Sequence, residues 1–447
     1  MNVDGVETLT LRARGALSAL SATTYTALMD RSPTQSDVVR QRTRGIIARV
    51  RAEGDAALFA FAHDFDGVTL DTLEVPRAAW KQALTALDPL LVHALQRAER
   101  NIGAVHAVFR PFASEVSPEP GITVGRRPDP LARVGVYAPG GRASYPSSLL
   151  MGAIPARVAG VREVIVCSPP GPNGMPSAVV LAAAELANVD RVFAIGGAGA
   201  IAAMALGTQT VPRVDRVVGP GNAYVAEAKL QLVSDVAIDA PAGPSELLVL
   251  ADDSAEADVI ARELLAQAEH DPEAAVIAVL CGDDASAFAS QVERALATLL
   301  VDASRADIVR TALAARGAVI TTPRLSDGIA FANTWAAEHL LLVVRDAVRD
   351  DTLSALRSAG TVFVGPSSSV AFGDYMTGAN HVLPTAGAAR CYSGLSTLDF
   401  VRWTTWQCVS PAAAARMADD VGRFADAEGL PGHAAAARAW RSPGVVA

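Results

Sequence analysis

The sequence predicts an α/β protein built from two Rossmann-like, doubly wound domains, with a short N-terminal extension and a helical C-terminal tail. Three observations predict it. From Arg133 onward, short apolar runs rich in Val and Ile alternate with helical stretches. Strands separated by helices of that length make βαβ units and a parallel sheet. The alternation occurs twice, over about 132–240 and again from Glu246. The chain up to about 130 reads instead as amphipathic helices, with apolar residues at helical spacing over Ser36–Glu53, Arg77–Leu87 and Leu90–Val108, broken at Asp64–Leu70.

In the first α/β stretch the expected strands are Val134–Ala138, Glu163–Ser168, Val192–Gly196 and Val214–Val218. The helices between them are Ser147–Ala159, Ala178–Ala187, Ala198–Leu206 and Ala223–Val233. In the second, the strands are Glu246–Ala251, Val276–Leu280, Val319–Thr322, Leu340–Val344 and Val362–Val364, with helices such as Ala255–His270 and Ala285–Leu299. The helical region 31–131 is expected to pack with 241–388 as one domain, which makes 132–240 an insertion; 1–30 is the extension and 389–447 the tail, with Thr397–Thr404 and Pro411–Glu428 as its helices.

Composition narrows the class. Of 447 residues, 51% are hydrophobic and 19% charged, enough for a large core and not the balance of a disordered chain. The net charge of −9 gives no reason to expect nucleic acid or an anionic membrane as partner. The N-terminus MNVDGVETLTLRARG lacks the apolar run of a secretory signal, and stretches such as Ala274–Cys281 are too short to span a bilayer. Cys167, Cys281, Cys391 and Cys408 form no CxxC pair. That argues against a disulfide framework or a cysteine zinc site, and for a reducing cytoplasm.

Three glycine turns fall at equivalent strand ends. Ile195-Gly-Gly-Ala-Gly-Ala-Ile-Ala202 fits G-x-G-x-x-A, a weak dinucleotide signal that also serves plain helix–sheet packing. Gly135-Val-Tyr-Ala-Pro-Gly-Gly141 places Tyr137 and Gly219-Pro-Gly-Asn-Ala223 places Asn222 beside the same edge, where parallel sheets bind ligands. Tyr137 can stack on or hydrogen-bond a ring and Asn222 can hydrogen-bond one; the alternatives are tight turns and, for Asn222, a helix cap.

Four of the seven histidines have polar company. Gln267 and His270, three apart at a helix end, can converge on one ion; the alternative is a dipole-favoured histidine. Glu338-His339, at the entrance of a buried strand, makes an acid–base pair or a polar strand entrance. Asp374 and His381 share the loop Phe372-Gly-Asp-Tyr-Met-Thr-Gly-Ala-Asn-His381, which reads equally as a surface loop, and His433 follows the turn Glu428-Gly-Leu-Pro-Gly, which reads alone as a helix stop. An oxygen–nitrogen donor set of this kind suits zinc. His63, His93 and His106 read as surface or satisfied core histidines.

The stretches GVYAPGGRASYPSS, VVGPGNAYVAEAK, DAPAGPSELLVLAD, QAEH, AEHL, GDYMTGANHVLPT and EGLPGH together resemble the histidinol dehydrogenase family over nearly the whole chain. The resemblance implies an NAD-linked, zinc-dependent, four-electron oxidation of L-histidinol to L-histidine through the aldehyde. It implies zinc at Gln267, His270, Asp374 and His433, with Glu338 and His339 as the catalytic pair. Ser245, His339, His381 and Glu428 would contact substrate beside the zinc ligands, and Tyr137 and Asn222 would contact NAD. It implies a homodimer whose crossing tail brings Glu428 and His433 into the partner's site, with 132–240 on the NAD side and 241–388 carrying metal and catalytic residues. The family commonly has an NAD-contacting Gln where this chain has Gly199, so that side chain is missing here and the apparent fingerprint is discounted. A dehydrogenase of the same fold acting on another small alcohol, and a zinc hydrolase using Glu338, are the rival readings.

Overall fold

Two parallel sheets, each buried on both faces, account for most of the strands. The computed structural model describes residues 9–31, 37–140, 144–241 and 243–441. The ends of the extension and tail (1–8 and 442–447) and 141–143 of the first glycine-turn motif lie outside these.

Numbered along the chain, the strands are β1 (Ala13–Ala16), β2 (Ser114–Val116), β3 (Ile122–Pro130), β4 (Arg133–Tyr137), β5 (Glu163–Ser168), β6 (Arg191–Ala194), β7 (Arg216–Val218) and β8 (Ala237–Ile238). They continue with β9 (Glu246–Asp252), β10 (Ala275–Cys281), β11 (Ala318–Thr322), β12 (Ala337–Val343), β13 (Ala359–Val364) and β14 (Val401–Val409). One sheet has the order β6-β5-β4-β7-β8 and the other β1-β11-β10-β9-β12-β13, every pairing parallel. Within each unit the order is third, second, first, fourth, fifth, the doubly wound pattern with its switch point beside the first strand. The unbroken apolar runs of β5, β9 and β10 are what strands buried on both faces require. The extension supplies β1 as an added edge strand of the six-stranded sheet.

The helices at 37–53, 55–66, 77–86 and 89–108 pack chiefly on 132–240 rather than with 241–388 as the sequence reading expects, although 89–108 also meets the loop at Met376 and Gly378. Ile47, Val50, Leu58 and Phe61 share a core with Ile165, Phe193 and Ile201, and Trp80, Leu95 and Ile102 share one with Val136, Leu150 and Val166. All of these partners lie in the five-stranded unit. The physical reason is legible in the helices that flank that sheet: Leu149–Ala156 and Ala198–Ala205 are buried all round. A helix apolar on every side needs a second layer outside it, and the N-terminal helices provide that layer.

The tail also departs from expectation. Thr397–Phe400 is a single 3-10 turn, closed by a Ser396–Asp399 capping box, and β14 follows it where a helix is expected. β14 pairs antiparallel with β3, and β3 with β2, so the region before 130 is not all helical either. The composition VRWTTWQCV, β-branched and aromatic, favours a strand. The helices Pro411–Ala427 and Pro431–Arg438 then complete the described tail.

One connection decides where a site can form. The chain leaves the carboxyl end of β8 at Ile238 and enters the amino end of β9 at Glu246. The carboxyl edge of the five-stranded sheet therefore adjoins the amino edge of the six-stranded one. A cleft of about 300 Å³ opens there, lined by Gly219–Gly221 and Lys229 on one side and Thr385–Ala388 on the other.

Candidate functional site

Glu338 and His339 are the second and third residues of β12, and both are buried. The neighbouring strand holds them through its backbone. The Glu246 N–H donates to Glu338 Oε2 at 2.7 Å, and the Glu246 carbonyl lies 3.1 Å from His339 Nδ1. A carbonyl only accepts, so Nδ1 carries its hydrogen in either protonation state, and Nε2 is the nitrogen whose proton comes and goes. That atom is buried without a hydrogen-bond partner and lies 3.7 Å from Asp374 Oδ1. Burial works to lower the His339 imidazole, but the Glu338 carboxylate and Asp374 outweigh it and take it up to about 10.

Asp374 closes the short helix Val370–Tyr375. Burial pushes its carboxyl up, yet the imidazoles of His339, His381 and His270 around it bring it below the usual carboxylate range. His381 Nδ1 lies 3.1 Å from the Asp374 carbonyl, and burial lowers that imidazole. The loop between them is pinned to the five-stranded unit. Asn101 Nδ2 donates to Met376 O at 2.7 Å, and Asn380 Nδ2 to Met151 O at 2.8 Å. Gly378 makes that approach possible: its φ is +90°, and a Cβ there would meet Asn101 O at 2.5 Å.

Gln267 ends the helix Ala257–Ala268 and His270 follows its cap. Gln267 is 3% exposed, and no hydrogen bond among the described residues engages its amide. An amide on a buried side chain, an imidazole and a depressed carboxylate are a donor set that fits zinc or a similar divalent ion. Among the described residues no three His, Cys, Asp or Glu side chains close on one metal position. The fourth expected ligand is elsewhere: His433 and Glu428 stand exposed on the tail, and no hydrogen bond or ion pair among the described residues ties them to this cluster.

The expected NAD contacts lie across the seam. Tyr137, at the carboxyl end of β4, is 4% exposed, and burial pushes its phenol up to about 12. Its hydroxyl accepts from Gly197 N at 3.0 Å, at the start of the helix Gly197–Leu206, so it is not a free stacking surface. Asn222 caps the helix Ala223–Gln231, its Oδ1 accepting from Tyr224 N and Val225 N. Gly219 makes the turn before it: φ is +113°, and a Cβ would lie 2.1 Å from the Tyr137 carbonyl. Gly199 is buried, and a Cβ there would meet Phe61 Cδ2 at 3.2 Å, so Phe61 fills the space into which a longer side chain would point. Ser245, partly buried, directly precedes Glu246.

The sequence reading misses Glu246 and Arg31. Glu246 is 2% exposed, 3.1 Å from the Nε of Arg31, itself 4% exposed. A glutamate opening the otherwise apolar run ELLVLAD is a signal for the first; a lone arginine near the N-terminus offers none for the second. His106 is not the satisfied core histidine expected, since it is 1% exposed with neither ring nitrogen hydrogen-bonded. His63 and His93 are exposed, as surface histidines should be. All four cysteines are free.

Comparison with known proteins bears on the whole chain. A family model described as histidinol dehydrogenase matches residues 29–441. A histidinol dehydrogenase of Methanosarcina barkeri is 42% identical over 423 residues, 94% of this chain and 96% of that protein. One from Bordetella parapertussis is 44% identical over 407 residues, 90% of this chain and 91% of that protein. The crystal structure of histidinol dehydrogenase from Elizabethkingia anophelis superposes with a TM-score of 0.91 at 31% identity, covering 96% of this chain and 98% of that one.

Proposed function

The chain belongs to the histidinol dehydrogenase family, NAD-dependent oxidoreductases of histidine biosynthesis, and from that premise we propose how its own residues carry out the oxidation of L-histidinol to L-histidine. The observation that carries the proposal is the bracket at Glu246, which fixes the Glu338 carboxylate and leaves His339 Nε2, without a hydrogen-bond partner, as the nitrogen that exchanges a proton. In its neutral form His339 accepts the alcohol proton at Nε2 while hydride leaves the carbinol carbon for NAD⁺. Glu338 takes a proton from the water that adds to the aldehyde. As the water adds, protonated His339 returns its proton to the aldehyde oxygen, and the hydrate then gives a hydroxyl proton to the freed His339 and a second hydride to a second NAD⁺.

Gln267, His270 and Asp374 would hold a zinc ion, joined by His433 of the partner subunit. When bound, the ion supplies a Lewis-acidic anchor for the substrate's imidazole and amine. Ser245, His381 and the partner subunit's Glu428 complete the substrate site, with Tyr137, Asn222 and the backbone at Gly199 on the NAD side. The exposed positions of Glu428 and His433 on the tail support this homodimeric arrangement. The metal- and catalysis-bearing domain we propose is 241–388, and the NAD-side domain is 132–240. No helix among the described residues is long and apolar enough to cross a membrane, and we place the enzyme in the cytoplasm.

Stoichiometry tests the reading. Purified enzyme with zinc should form two NADH per L-histidinol consumed. One NADH with release of free aldehyde would sink the four-electron mechanism, and no turnover of histidinol would point to another small alcohol.

A further inference from the structure

The main chain of Glu246 brackets Glu338 and His339, but His339 is also held by its ladder pairing opposite Leu247, so Glu338 depends most on what fixes Glu246. Its side chain is held from two directions. Oε1 accepts from Ala386 N at 2.8 Å, in the loop lining the cleft, and lies 3.1 Å from Arg31 Nε. Arg31 in turn reaches the other catalytic strand. Its Nη2 donates to the Trp335 carbonyl at 2.5 Å, and its Cζ sits 3.7 Å from the centre of the Trp335 ring. Trp335 ends the helix Leu325–Trp335, and only Ala336, at φ +54°, separates it from β12. Trp335 is itself fixed, its Nε1 donating to Leu28 O at 3.0 Å.

Arg31 therefore ties together the first residue of β9, the residues leading into β12 and the cleft loop. No β9–β12 ladder pairing reaches Glu338, since the register begins at His339 opposite Leu247. The geometry points to the Arg31–Glu246 ion pair as a positioning device for Glu338, setting its carboxylate where it can take a proton from the attacking water. Neither residue touches the reacting atoms. The charges around the pair fit the role. Glu246 faces Arg31 and Glu338, and Arg31 also feels Arg390 and Arg316. Arg31 offsets a second carboxylate beside the one that must act as base.

A buried ion pair is weak evidence for stability, because replacing both members by apolar residues of similar volume is often neutral. That makes position separable from folding. In Arg31→Met/Glu246→Met, thermal stability and zinc content should stay near the unsubstituted enzyme. Turnover of added L-histidinal should fall roughly 10- to 100-fold, the scale expected when a catalytic group is misplaced by about an ångström. KM should change by less than about two-fold and the alcohol step should lose much less. Glu246→Gln, which keeps the acceptor for Ala386, should show the same split in weaker form. A well-folded double variant with full histidinal turnover, or equal losses in both half-reactions, would overturn the inference.

The inference rests on Glu338 as the water-activating base, and Glu338→Gln separates the two. If Glu338→Gln impairs the aldehyde step selectively and the double variant does not, positioning alone fails. If Glu338→Gln shows no selective loss, the assignment of Glu338 fails and takes the inference with it.

Discussion

The two sheets share a strand order and use opposite edges. In the five-stranded sheet Tyr137 and Gly219 stand at the carboxyl ends of β4 and β7, beside the switch point, where open α/β sheets bind ligands. In the six-stranded sheet Glu338 and His339 stand beside the equivalent switch point but at the amino end of β12. Strand order alone does not place a site. The link from β8 to β9 sets one sheet's carboxyl edge against the other's amino edge, and the chemistry collects at the seam.

Burial lowers both buried imidazoles, and their neighbours decide opposite outcomes on the two sides. His339 in the six-stranded unit is 4% exposed and is pushed up to about 10 by the carboxylates facing it. His106, in the helix Pro89–Val108 against the five-stranded unit, is 1% exposed and burial alone takes it down to about 4. One imidazole faces two carboxylates; the other has no hydrogen-bond partner for either ring nitrogen among the described residues and stands edge-on to Phe109, 5.8 Å between ring centres. The contrast predicts its largest effect at His339. His339→Ala should lower turnover in both half-reactions by about 10²- to 10⁴-fold, the range for a general base. His106→Leu should leave turnover unchanged. Steady-state kinetics on both variants decides, and a change confined to KM in His339→Ala would break the comparison.

Acid titration probes the other side of it. The folded-state value of His106, about 4, lies below its ordinary 6.5, so the unfolded chain binds the proton more tightly. Its burial therefore carries no protonation cost above about pH 6.5, and stability is lost as the pH falls from there toward 4. The shift corresponds to about 3 kcal/mol in full. Denaturant midpoints between pH 7 and 4 should fall less steeply in His106→Leu than in the unsubstituted chain. Equal slopes would show that the imidazole reaches water or a partner on protonation.

Much of this was legible in the residues. Both α/β alternations can be read from runs such as EVIVCS and AVIAVLC, because strands buried on both faces leave an unbroken apolar signature. The pair Glu338-His339 and the loop through Asp374 to His381 are marked by their polar residues against an apolar background. What was not legible depends on partners distant in sequence. Arg31 meets Glu246 across 215 positions of chain, and nothing local to either predicts it. The β-branched and aromatic residues of β14 favour a strand although a helix is expected there, and what the local sequence does not show is β3 as its partner. The N-terminal helices show an apolar face without showing which sheet it covers.

The smallest expected effect concerns whether Tyr137 serves structure, cofactor or both. Its hydroxyl accepts from Gly197 N, which satisfies one of the free amides at the start of Gly197–Leu206. A phenol both accepts and donates, so its own hydrogen is still available to a ligand on the carboxyl edge of the sheet. Tyr137→Phe removes both capacities while keeping the ring. The stranded Gly197 amide should cost about 1–2 kcal/mol of stability, read as a lower denaturation midpoint. If the hydroxyl also donates to NAD⁺, KM for NAD⁺ should rise by about five- to ten-fold, one hydrogen bond's worth, with turnover at saturation little changed. A lower midpoint with an unaltered KM for NAD⁺ would make Tyr137 a helix cap alone and leave the carboxyl edge to bind the cofactor through Asn222 and the glycine turns.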